Sequence, residues 1–104
     1  LQAAGIGPDF RVSKAHIVCN RLDAPNAVVL TVVNLGHERN GAAADVAIHA
    51  KGVLDRWKRF RQVKKVWSYR FPKGLEFKPA VRDVTIRVPR LTLVDVIVIE
   101  TDKL

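Results

Sequence analysis

The chain has 104 residues but only one cysteine, two serines and no methionine. A lone Cys19 excludes an internal disulfide, so packing alone must hold the fold. Set in an apolar, strand-like stretch, that thiol reads as a small buried hydrophobe before it reads as a nucleophile. Long hydrophobic runs are missing too. A spanning helix needs roughly 20 consecutive apolar residues, and the run VDVIVIE, residues 94–100, is broken by Asp95 and closed by Glu100. The opening LQAAGIGPDF lacks the basic start of a secretory signal. A chain that begins at leucine with no methionine anywhere is expected to be a domain cut from a longer protein. Its length suits one domain around one core. The lack of disulfides fits a reducing compartment and a bacterial secreted domain equally, so localisation stays open.

Catalytic patterns are also absent. His16, His37 and His49 sit in or beside different strand-like stretches, with no cysteine or carboxylate at metal-ligand spacing. Ser13 and Ser68 have no Gly-x-Ser-x-Gly setting, and NLGHERNG has two glycines without a phosphate-loop spacing. Sugar hydrolysis needs two carboxylates facing across a cleft, and the ten acidic residues are scattered through strands and turns. No catalytic activity, cofactor or metal is expected of this piece by itself.

What the chain does have is strands. In FRVSKAHIV, residues 10–18, Phe10, Val12 and Val18 share one face, although His16 and Ile17 blur the alternation. AVVLTVVN, residues 27–34, is a nearly continuous apolar, β-branched run, the pattern of a central strand covered on both sides. LGHERNGAA reads as a loop. In ADVAIHA, Ala44, Val46, Ile48 and Ala50 are expected inward. FPKGLEF, with Pro72 and Gly74, reads as a hairpin connection. Val84, Ile86 and Val88 line one face of a strand that Pro89 should stop, and LVDVIVIE is a last, mostly buried strand. Strand-like runs with turns between them, and no long helical pattern, predict an all-β fold: an antiparallel, immunoglobulin-like β-sandwich of about seven or eight strands over residues 1–104.

The net charge of +8 is concentrated. Residues 51–71, KGVLDRWKRFRQVKKVWSYRF, hold eight basic side chains against one acidic, and five of the seven aromatic rings. Val53, Trp57, Phe60 and Trp67 fit a helix face, whereas Val63, Trp67, Tyr69 and Phe71 fit a strand. A split satisfies both halves: a connection or short edge element over VLDRWKRF, then a strand over QVKKVWSYRF with one buried face. Trp67 is expected to pack in the core. Basic residues on an edge also guard against strand pairing between molecules. The basic patch comprises Arg56, Lys58, Arg59, Arg61, Lys64 and Lys65. Interleaved with rings, it is the sequence's one candidate contact for nucleic acid or another polyanion.

Residues 62–100 carry Val63 and Val66, then Val88-Pro89-Arg90-Leu91, then Val96-Ile97-Val98-Ile99-Glu100. Together with VVLTVVNLG, in which Asn34 closes a strand, this pattern resembles the C-terminal accessory β-sandwich domains of glycoside hydrolases of the galactosidase and fucosidase type. The basic, aromatic VLDRWKRFR departs from it. The resemblance implies a non-catalytic module that packs on an upstream catalytic domain of the same chain, with carbohydrate as a second candidate partner. Trp57, Trp67 and Tyr69 are then the rings to stack on a sugar. The first half is also similar to immunoglobulin-like adhesion modules of bacterial surface proteins, which implies a spacer instead.

Overall fold

The computed structural model describes residues 10–14, 16–52, 55–56, 59–60, 62–80 and 82–102. In chain order the elements are β1 (Phe10–Val12), β2 (Ile17–Ala24), β3 (Ala27–Asn34), a one-turn helix α1 (His37–Asn40), β4 (Ala43–Ala50), β5 (Asp55–Arg56), β6 (Arg59–Phe60), β7 (Val63–Ser68), β8 (Glu76–Pro79), β9 (Val84–Leu91) and β10 (Val94–Thr101). Two four-stranded sheets, ordered β1-β4-β9-β8 and β2-β3-β10-β7, make a β-sandwich, and every pairing is antiparallel. Among the described residues, β5 and β6 pair with each other and with no other strand.

The interior follows from alternation. Val28, Leu30 and Val32 of β3 and Ile97 and Ile99 of β10 meet Val46 and Ile48 of β4 and Val84, Ile86 and Val88 of β9 in one cluster with no appreciable exposure. Each such side chain contributes roughly 1.5–3 kcal/mol by leaving water, and they are the source of stability that the missing disulfides cannot supply. Cys19 belongs to this cluster, and burial pushes its thiol up to about 12 against the small opposing effect of Arg21.

Several sequence expectations are corrected at points where the chain changes sheet or breaks alternation. FRVSKAHIV is not one strand: the chain leaves the first sheet after Val12 and enters the second at Ile17, turning through His16 at φ 64°. The blurred alternation marked that crossing. LGHERNGAA contains α1, whose last turn closes with Gly41 N–H donating to the carbonyl of His37. Ala44 faces solvent, because Asp45 at φ 52° resets the alternation between Ala43 and Val46. Pro89 does not stop β9, which runs on to Leu91. Proline is tolerated there because it lies exposed beside that irregularity, where a missing N–H costs little. The FPKGLEF turn joins β7 to β8, which lie in different sheets, so it is a crossover and not a hairpin. It is held by the Gly74 and Leu75 N–H groups, which donate to the carbonyls of Phe71 and Val66.

Candidate functional site

The split expected over residues 51–71 is present. Asp55–Arg56 and Arg59–Phe60 form a two-residue ribbon with Arg56 opposite Arg59, and β7 then joins the edge of the second sheet. Trp57, Lys58 and Arg61 lie outside the described residues. β7 carries a bulge: Lys65 pairs with Glu100 and Val63 with Thr101, so Lys64 is an extra residue between them. The bulge turns Val63 toward the core and sets the phase of everything after it. Val66 and Ser68 therefore point inward, fully buried, and Trp67 and Tyr69 point outward. The expectation that Trp67 packs in the core is overturned by this one inserted residue.

Trp67 and Tyr69 stand side by side on the outer face with parallel rings, their centroids 6.1 Å apart and their planes 14° apart. The indole N–H of Trp67 donates to Glu100 Oε2 at 2.6 Å, which fixes the ring's orientation. Tyr69 is 72% exposed. Its backbone is held in a tight turn by its own N–H donating to the carbonyl of Val96, and by the Arg70 N–H donating to Asp95 Oδ1. Two residues apart, one near the end of β7 and one in the turn after it, the rings form a stacked pair.

They are the end of a larger apolar surface. Registers place Leu22, Val29, Val98 and Trp67 in one row across all four strands of the second sheet, with Val33 and Val94 in a parallel row. Leu22 and Val94 are exposed by 68% and 52%. Every large hydrophobic side chain that stands exposed among the described residues belongs to this sheet or to the turns at its end, Leu35 and Leu93 included. The outer face of the first sheet is different. There Ala47, Glu76, Phe77, Lys78, Thr85 and Arg87 line a shallow depression of about 520 Å³, and Arg87 makes a forked ion pair with Asp45 at 3.0 Å. One face of the sandwich is ordinary wet surface, and the other is half-built core.

Of the basic patch, Lys64 and Lys65 are exposed on β7, and Arg70 follows in the turn. None of the three forms an ion pair among the described residues. The three histidines are not brought together as a metal site: no group of three or more potential ligands occurs among the described residues. His49 instead donates to or accepts from Asp83 Oδ2 at 2.9 Å, while Asp83 Oδ1 accepts the Gly52 N–H at 2.8 Å. These bonds tie the turn after β4 to the turn before β9, just where the basic stretch departs. The Gly52 N–H, seconded by His49, holds the Asp83 carboxyl below its usual range, with burial pulling the other way. A depressed folded-state value means that Asp83 stabilises the fold above the unfolded carboxylate's pKa of about 3.9, and that this is lost as pH falls through the folded value. Asp83→Asn is therefore expected to cost about 1 kcal/mol near neutrality and to flatten the acid limb below about pH 4. Urea midpoints measured from pH 7 to pH 2 check it, and an unchanged acid limb would count against the contact.

Reasoning from sequence alone missed Leu22, Val29, Val94 and Val98 as surface residues. The signal was available in AVVLTVVN and VDVIVIE, which are apolar at successive positions and so apolar on both faces.

No family model and no curated protein matches the chain. Among solved structures the fold is similar to that of part of alpha-L-fucosidase isoenzyme 2 from Paenibacillus thiaminolyticus, with a TM-score of 0.69 and 17% identity over 91% of this chain. The chain spans only 16% of that protein's length.

Proposed function

We propose that this chain is a non-catalytic accessory module of a carbohydrate-active enzyme, supporting a catalytic domain that lies elsewhere in a longer polypeptide. What carries the reading is the match in fold between nearly the whole of this sandwich and a small slice of a much longer fucosidase. A second support is the buried face itself: β-branched and leucine side chains fill the space between the sheets, leaving the surface, not the interior, for contact with other molecules. Trp67 and Tyr69 are the module's candidate contact residues, and Trp57 remains a candidate on sequence grounds.

Assays on nitrophenyl fucosides and galactosides test the reading. The isolated chain is expected to give no turnover above a denatured control. The longer polypeptide is expected to hydrolyse a glycoside and to lose several degrees of thermal stability when this module is deleted. Turnover by the isolated chain, or a parent without glycosidase activity, would overturn it. The competing reading, a basic module for nucleic acid or another polyanion, draws on the basic patch Arg56, Lys58, Arg59, Arg61, Lys64 and Lys65, of which Lys64 and Lys65 are exposed on β7. It predicts retention on heparin that falls steeply with salt.

A further inference from the structure

We infer that the outer face of the β2-β3-β10-β7 sheet is the surface through which this module docks on a neighbouring folded domain of the same polypeptide, with the Trp67–Tyr69 pair as its anchor. The inference rests on the accessory-module reading and deepens it by naming the face. The outward sheet surface of a free-standing sandwich is commonly the polar one, with apolar side chains turned to the core. Here the row Leu22, Val29, Val98 and Trp67 crosses the sheet without a polar residue, and beyond the intervening row of Asn20, Thr31 and Val96 the face presents Val33 and Val94. The exposed large hydrophobics among the described residues gather on this sheet and its end turns, and the opposite face is charged.

Size and charge choose among occupants. Four strands of eight residues or fewer span a face of roughly 26 by 19 Å, on the order of 500 Å² per side. Buried against a partner, that gives about 1,000 Å² in total, within the range of interfaces between domains of one chain and below what an obligate dimer of separate chains commonly buries, about 2,000 Å² or more. A tether makes up the difference, because a covalent link raises the local concentration of the partner. Lys64, Lys65 and Arg70 lie exposed along the β7 side and form no ion pair among the described residues. The docking partner therefore presents an apolar patch bordered by carboxylates at that side. Within the face, the Trp67 ring is held by Glu100 and lies parallel to the ring of Tyr69, so the indole meets a partner already ordered. Aromatic side chains of this kind, fixed in a dry contact, dominate interface energetics. Sugar stacking would need only the two rings and leaves Leu22, at the opposite edge of the face, without a role.

Hydroxyl-radical labelling, read by mass spectrometry on the 104-residue chain and on the longer polypeptide, tests the inference. Leu22, Trp67 and Tyr69 are expected to react at least fivefold more slowly in the longer polypeptide, while Pro89 and Arg90 on the other sheet react equally in both. Leu22→Glu is expected to leave the urea midpoint of the isolated chain unchanged and to restore labelling of Tyr69 in the longer polypeptide. Equal labelling of the face in both contexts overturns docking. So does a concentration-dependent dimer of the isolated chain that Leu22→Glu disperses, since a second copy is then the occupant. Salt-insensitive quenching of tryptophan fluorescence by a neutral oligosaccharide, abolished by Tyr69→Ala, would make the rings a sugar platform and overturn it likewise. Protection of the face in a parent without glycosidase activity would sustain docking while removing the accessory reading. A glycosidase parent with an unprotected face would do the reverse.

Discussion

Asn34→Asp is expected to destabilise the fold by about 3–5 kcal/mol near pH 7, the range seen when a buried charge is left uncompensated. Asn34 is 4% exposed at the end of β3. Its amide nitrogen donates to the carbonyls of Gly41 and Thr92 at 3.1 and 3.0 Å, with that of Leu91 at 3.4 Å, and its Oδ1 accepts the Gly36 N–H at 3.1 Å. One side chain thus gathers the loop after α1, the turn between β9 and β10, and the turn that β3 enters. Aspartate keeps the shape but points a carboxylate oxygen at three carbonyl oxygens from a nearly fully buried position. Protonated, it recovers one donor. The introduced carboxyl is therefore expected to have a raised folded-state pKa. Its penalty is smallest below the unfolded value of about 3.9 and grows as pH rises toward the folded one. Asn34→Ala, which removes donor and acceptor without adding charge, is expected to cost about 2–3 kcal/mol. Its gap from the parent chain should not vary with pH. Urea denaturation of the three proteins at pH 4 and pH 7 decides the matter, and a pH-independent Asn34→Asp gap would refute the proposed arrangement.

Ile97→Ala, at the centre of β10, is the second large effect. Ile97 has no exposure and pairs with Leu30 on β3 and Ser68 on β7, so it lies between both neighbours in the middle of the second sheet. Removing three carbons there loses their transfer energy and leaves a cavity that flanking strands cannot close, an expected loss of about 3–5 kcal/mol. Against a total of about 5–15 kcal/mol for a domain of this kind, that takes a large share of the stability. Val98→Thr, one residue on but facing out, is expected to change the isolated chain by less than about 1 kcal/mol. A fall in the urea midpoint at unchanged slope for Ile97→Ala alone would establish the inward and outward assignment. Equal losses would mean that the outer face of β10 is already covered within this chain.

The contrast between those neighbours shows how much could be read beforehand. Alternation in DVTIRV located Val84, Ile86 and Val88 correctly, and all three are buried. AVVLTVVN predicts a central strand, and β3 does lie between two others, as does β10, whose run LVDVIVIE predicts only a mostly buried last strand. Trp67 was misassigned because a period-two pattern carries a phase only until the first bulge, and nothing in QVKKVWSY marks Lys64 as the extra residue. The two-sided apolar character of AVVLTVVN predicts burial on both sides. Among the described residues only the inward side is fully buried, with Val29 and Val33 half-buried on the other, so the surplus apolar face is the candidate site.

Composition and pattern by themselves determined that this is an all-β chain without disulfides, that its stability comes from β-branched packing, and that its charge sits in one segment. Those are properties of short stretches, dictated by backbone period and side-chain chemistry. Which strands share a sheet, where FRVSKAHIV crosses from one sheet to the other, which way Trp67 and Tyr69 point, and that Asn34 and Asp83 each reach across distant turns were decided only in three dimensions. Each depends on contacts between residues far apart in the chain, and a local pattern holds no record of them.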